Sequence, residues 1–168
     1  MERTLLKAIR HDVAIYAIHT NLDNVHTGVN RKICEKIGLK NLKVLAPKTD
    51  TLNKLVTFIP KENSADVTSA LYEAGAGQIG DYKNCSFQLQ GVGTFLPTEN
   101  TNPHLGERHQ QTFVDEVRVE LIFPGYRKKQ ILEALQRTHP YEEVAYYISA
   151  LTNENQEVGS GMTGDLES

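Results

Sequence analysis

The segment 19–30, HTNLDNVHTGVN, sets His19 four residues before Asp23 and puts His26 three residues after it, between an apolar run and an amphipathic one. Imidazole and carboxylate are the donors that divalent ions such as Zn, Mn and Fe accept, a borderline nitrogen beside a hard oxygen. A catalytic ion usually takes three protein ligands and a water. The spacing alone therefore leaves two readings open. Asp23, with His19, is a metal ligand, or Asp23 is a turn residue whose carboxylate accepts hydrogen bonds from nearby backbone N–H groups.

Other polar groups carry less. His104 and His109 lie near Glu107 in LPTENTNPHLGERHQQTF, residues 96–113, and read as solvated loop residues. His139, in THPYEE, falls at the C-terminal end of a predicted helix, where a cation suits the negative pole of the dipole and Pro140 forbids continuation. GAGQIG (75–80) and GSGMTG (159–164) both satisfy G-x-G-x-x-G. A dinucleotide site needs that motif after a strand and opening a helix. The first copy follows a predicted helix and precedes a strand, and the second has no helix to open. Both read as turn glycines at positive φ. YRKKQ, 126–130, reads as the wet face of a helix.

The elements that must position these groups follow from periodicity. TLLKAIRHD, 4–12, predicts a short helix, and the unbroken apolar run VAIYAI, 13–18, predicts a strand covered on both faces, as in a parallel sheet. His19 and Asp23 then occupy the loop beyond its carboxyl end, where α/β sheets bind ligands. Thr27 is placed to cap a helix in which Val29, Ile33 and Ile37 recur every four residues, and Gly38 to end it. Residues 41–53, NLKVLAPKTDTLN, read as a crossing segment.

Beyond it the chain repeats at an offset of 64 residues. Pro60 matches Pro124, Val67 matches Ile131, Ala70 and Leu71 match Ala134 and Leu135, and Tyr82 matches Tyr146. Each half runs strand, proline, amphipathic helix, strand, the second strands being CSFQLQGVGTF and EVAYYISAL. Two such halves make a ferredoxin-like β-α-β-β-α-β sandwich over 54–151, with helices on one face of an antiparallel sheet. The predicted fold class is thus α+β: a partial α/β segment at 1–53, the sandwich, and a return segment at 152–168. The long 96–113 loop between the halves is of a sort that carries binding roles.

Composition bounds the function. A chain of 168 residues with 39% hydrophobic content can bury one ordinary core or two small ones. With 18 Lys+Arg against 21 Asp+Glu, net −3, it has no basic footprint for an obligate nucleic-acid partner. Cys34 and Cys85 form no C-x-x-C pair, which suits a reducing cytosol. No apolar run approaches the ~20 residues of a spanning helix, and 1–12 has no signal-peptide core. A soluble cytoplasmic protein without a membrane partner is expected.

The stretches IYAIHTNLDNVHTGVN, GAGQIGDYKNCSFQLQGVGTFLPTE, EVRVELIFP, THPYEEVAYYI and GSGMTGDLE resemble the GTP cyclohydrolase 1 type 2 homologue family, also called NGG-one-interacting-factor-three-like, over nearly the whole chain. The resemblance implies an α/β domain holding two divalent ions (Zn, Mn or Fe), interrupted by a domain similar to PII and CutA proteins. It also implies self-association, as trimers or toroidal hexamers with the metals inside the ring. Family ligands come from an N-terminal His-His-Pro motif, from the aspartate of a TNLD-like loop, which bridges the ions, and from a C-terminal Gly-His with a glutamate four residues on. Only the middle one has a counterpart, Asp23, with His19 as its neighbour. The chain accordingly looks like the middle of a longer member, expected to be inactive by itself and to hold no metal of its own. For the parent the resemblance implies a metal-dependent hydrolase acting on a small molecule that is not specified. The alternative is a non-enzymatic oligomerisation or ligand-sensing module built on the PII/CutA-like domain.

Overall fold

A computed structural model describes residues 2–166, and the chain divides into two units. Met1–Lys48 with Asn155–Ser168 form one. It holds helices α1 (Glu2–Arg10) and α2 (Val29–Lys36) and strands β1 (Lys40–Lys48) and β6 (Asn155–Asp165). Thr49–Glu154 form the other, with β2 (Leu52–Pro60), α3 (Ser64–Glu73), β3 (Phe87–Phe95), β4 (Thr112–Pro124), α4 (Lys128–Thr138) and β5 (Tyr146–Leu151).

In the larger unit the sheet order is β3-β4-β2-β5, every pair antiparallel. Counted within the unit this is second, third, first, fourth, the ferredoxin-like arrangement, and the fold is α+β. Side chains alternate across a strand, so Leu55 and Ile59 of β2 and Val117, Val119, Leu121 and Phe123 of β4 share one face. They meet Val67 and Leu71 of α3 and Ile131, Ala134 and Leu135 of α4 in a single buried cluster. The repeat is visible in three dimensions. Pro60 and Pro124 each end a strand and lead through one 3-10 turn into a helix, and Val67 and Ile131 are fully buried at matching places. Tyr82 breaks it: it lies exposed in the connection from α3 to β3, whereas Tyr146 opens β5 against the core. That connection contains GAGQIG, whose Gly75, Gly77 and Gly80 all take positive φ, as turn glycines should.

The smaller unit departs from expectation. Residues 13–18 form no strand and are exposed, Tyr16 at 81%. A buried parallel strand needs partners on both sides, and the two strands of this unit pair with one another. Residues 40–48 are not a crossing segment but β1, antiparallel to β6 from Lys40↔Asp165 to Lys48↔Asn155. GSGMTG therefore sits inside a strand. Gly161 alone of its glycines takes positive φ, while Gly159 and Gly164 lie so close to β1 that a Cβ would meet the carbonyl oxygens of Ala46 and Lys40. Gly38 ends α2 at φ +85°, but the residue capping its start is Gly28, not Thr27. Among the described residues no helix is long and apolar enough to cross a membrane.

Candidate functional site

Asp23 lies in a 3-10 turn, Asn21–Asn24, whose backbone is fastened from several sides. Asn24 Nδ2 donates to Thr20 O at 3.1 Å, and its Oδ1 accepts from Ser160 Oγ of β6 at 2.8 Å. Asn30 Nδ2 donates to Asp23 O at 2.7 Å, and His26 N–H to Glu157 O at 2.9 Å. Gly28 closes under the turn so tightly that a Cβ would overlap the Leu22 carbonyl oxygen. The Asp23 carboxylate takes no part in this: it is exposed, with no hydrogen bond or ion pair to any described residue. Asparagines hold the turn, so the turn-making reading of the Asp23 side chain is set aside. His19 is exposed too. His26 is half-buried, with Arg31 Nη1 3.3 Å from both its ring nitrogens, a neighbour that suits helix entry rather than a cation. Among the described residues no three His, Cys, Asp or Glu side chains come together as a metal site would need, so the donors here fall short of a complete one.

Gly28 offers a check on the turn. Gly28→Ala is expected to destabilise the smaller unit by about 1–3 kcal/mol, because the methyl meets backbone rather than a side chain that can swing away. Amide exchange of residues 20–28 reads it. Unchanged protection there would show that the turn is not so held.

The second place is the face of the larger sheet that carries no helix. The register aligns Gly91, Glu116 and Pro60, then Leu89, Arg118 and Phe58, then Phe87, Glu120 and Val56. A cavity of about 550 Å³ opens there, walled by this face, by 96–104 of the long loop and by 141–147. The loop is folded: Asn102 N–H donates to Glu142 Oε1 at 2.8 Å, and Arg108 Nε to Thr101 O at 3.0 Å. His109 N–H donates to Pro97 O at 2.8 Å.

Two carboxylates on this face live differently. Glu120 sits between Lys54 Nζ at 3.1 Å and Arg118 Nη2 at 2.7 Å, and its pKa is lowered, by the Lys54 hydrogen bond first. Glu116 is 9% exposed and forms no ion pair with Lys54 or Arg118, which both go to Glu120. Its Oε1 accepts from the Tyr141 hydroxyl at 2.9 Å, and its carboxylate lies over Gly93, in space a Cβ would take. Burial first, then Glu116, pushes the Tyr141 phenol well above its usual value, so it stays protonated and donates. The Tyr141 ring is held edge-on between Phe95, 5.9 Å away, and His139, 5.0 Å away.

His139 corrects the sequence reading. It caps the end of α4, but it is buried and not a cation facing the dipole. Tyr141 N–H donates to its Nδ1 at 3.1 Å, so Nε2 carries the proton and donates to Phe58 O at 2.9 Å. Desolvation outweighs the nearby Glu116 and lowers its pKa. His104 lies in the cavity wall, its ring 6.3 Å from that of Tyr141.

Comparison with known proteins decides the family. The family model described as Duf34/NIF3 (NGG1p interacting factor 3) matches residues 1–168. The chain belongs to the Duf34/NIF3 family. Proteins named GTP cyclohydrolase 1 type 2 homolog from Halalkalibacterium halodurans and Bacillus subtilis are 45% and 43% identical to it over 98% of its length. A Bacillus cereus protein related to NIF3 matches in structure with a TM-score of 0.83 at 40% identity, over 99% of this chain. The chain spans 44% of the length of each of these relatives. In this Duf34/NIF3 chain the sequence marks Asp23 as a candidate, while it does not single out Glu116 or Tyr141. A signal was available. A charged residue every second position in EVRVE beside a strand reading QGVG places a carboxylate opposite glycines, where there is room for it to lie down.

Proposed function

We propose that Asp23, with His19 as a second donor, is a metal ligand of the whole protein, a metal-dependent hydrolase whose further ligands lie outside the described residues of this chain. One observation carries the reading: the Asp23 backbone is fastened in a held turn, while its exposed carboxylate serves no structural purpose there. Divalent ions of the Zn, Mn or Fe class would supply Lewis acidity and activate water. The contribution of this chain is a free carboxylate on a backbone turn held by Asn24, Asn30 and Gly28, with His19 four residues before it as a further donor. The apolar run 13–18, exposed here, fits a domain that needs further strands.

The test is metal content of the purified full-length protein before and after Asp23→Ala. A stoichiometric metal that falls at least about tenfold in affinity is expected, the effect that even outer-shell partners have. Undiminished metal in the variant would remove Asp23 from the ligand set. Tight metal in this chain alone, lost in Asp23→Ala, would show instead that Asp23 and its neighbours suffice.

A second reading, a ligand-sensing or self-assembling module, is favoured for the Thr49–Glu154 unit by the cavity on its open face. Its volume is in the range of small-molecule sites, and its walls are mostly apolar with a few convergent polar groups. The same face, with Phe87, Leu89 and Tyr147 exposed, would support trimer or hexamer assembly. Light scattering across protein concentration, with and without Leu89→Glu, separates assembly through this face from a monomer.

A further inference from the structure

The geometry points to an organic cation as the occupant of the sheet-face cavity: an ammonium or amidinium on an aromatic or alkyl body, with Glu116 as its anionic partner. The inference deepens the reading of the Thr49–Glu154 unit as a ligand-binding module and rests on it.

Charge is the first argument. Glu116, Glu142 and Glu143 all line the cavity. The guanidinium of the lining, Arg118, is turned to Glu120 at 2.7 Å, and His104 adds an imidazole to the wall. An anionic ligand would meet three carboxylates and a guanidinium already engaged. A buried carboxylate is costly unless it is paired and hydrogen-bonded, and one carboxylate can accept about four hydrogen bonds. Glu116 receives one, from Tyr141, so its capacity toward the cavity is unspent. Gly93 matters here because its missing side chain lets Glu116 lie flat under the cavity floor.

The second argument is the walls. Phe95 and Tyr141 stand edge-on to each other at 5.9 Å, and Phe58 and Tyr147 at 5.8 Å, two aromatic pairs around one cavity. Ring faces attract cations, more strongly where water is excluded, and rings also bury an apolar body. A carboxylate among such rings selects a ligand with a positive end and an apolar remainder. Bare metal ions are poorly served, since few oxygen donors converge on one point.

The test uses three probes of one shape: benzamidinium chloride, benzamide and sodium benzoate, titrated by NMR into the wild-type chain and into Glu116→Gln. Benzamidinium is expected to bind about tenfold or more tighter than benzamide, the ratio a charge-assisted bond in place of a neutral one supports. Benzoate is expected to bind weakest, and shifts should centre on Gly91, Gly93 and Tyr141. In Glu116→Gln the preference should shrink to within about twofold while benzamide affinity holds, which also shows that the variant is folded. Equal affinity of benzamidinium and benzamide in the wild type would overturn the cation inference and leave the ligand-binding reading standing. A preference undiminished in Glu116→Gln would overturn the role of Glu116. If no probe binds, both the inference and the reading beneath it fall.

Discussion

Phe123→Ala is expected to destabilise the Thr49–Glu154 unit by about 3–5 kcal/mol, the cost of removing a buried phenylalanine and leaving a cavity. Phe123 is 1% exposed, in the cluster that joins β2 and β4 to both helices. Its fifth helix-facing predecessor, Phe113, shows what position does: on the same strand and 68% exposed, it should cost no more than about 0.5 kcal/mol when truncated. The two variants remove the same atoms, so the difference between them isolates burial from hydrophobicity. Because the chain has two units, denaturation is best followed by residue-resolved amide exchange in β2 and β4 rather than by one global signal. Similar losses for the two variants would show that the core is not where the strand alternation puts it. The cavity lies on the opposite face of the sheet, so Phe123→Ala tests the scaffold without touching the cavity walls.

The ferredoxin-like half was readable because its information is local. Each copy of the repeat alternates, stops at Pro60 or Pro124, and then buries a stripe such as Val67 and Leu71 or Ile131 and Leu135. Periods of two and 3.6 can be counted in a short window. Residues 13–18 depart from the expected strand because an unbroken apolar run carries no period; whether it is a strand depends on partners the run does not encode. The β1–β6 pair was hidden for a related reason. Lys40 meets Asp165 across most of the chain, and β6 is glycine-rich because Gly159 and Gly164 let two backbones approach, a pattern that imitates a turn. At Asp23 the residue types leave a metal ligand and a turn former both open, and only the folded turn shows that asparagine side chains hold it. Glu116 is not legible in the sequence because a charge on an alternating strand is ordinarily solvent-facing. What buries it is a tyrosine 25 residues away and a glycine on the next strand.

His139 links the scaffold to the cavity, and acid should expose the link. Its ordinary pKa of 6.5 is lowered in the folded unit, by burial first. Between the folded value and 6.5 the unfolded chain binds the proton that the folded chain refuses. Stability from this group is therefore complete above about pH 6.5 and is lost as pH falls through the folded value, and every tenfold by which folding weakens proton binding corresponds to about 1.4 kcal/mol. The groups facing the ring divide: Glu116 favours the charged form and His104 opposes it. His139→Gln is expected to cost about 1–3 kcal/mol at pH 8, since β5 pairs with β2 only as far as Thr57↔Tyr146 and the next carbonyl, Phe58 O, relies on the imidazole. The variant should also lose part of the decline between pH 7 and pH 5. Urea midpoints at pH 8, 6.5 and 5 read both effects, and parallel declines in variant and wild type would assign the acid sensitivity elsewhere. Protonating Nδ1 also removes the acceptor for Tyr141 N–H. The residue so released is the one whose hydroxyl holds Glu116, so loss of this hydrogen bond loosens the cavity floor together with the end of α4.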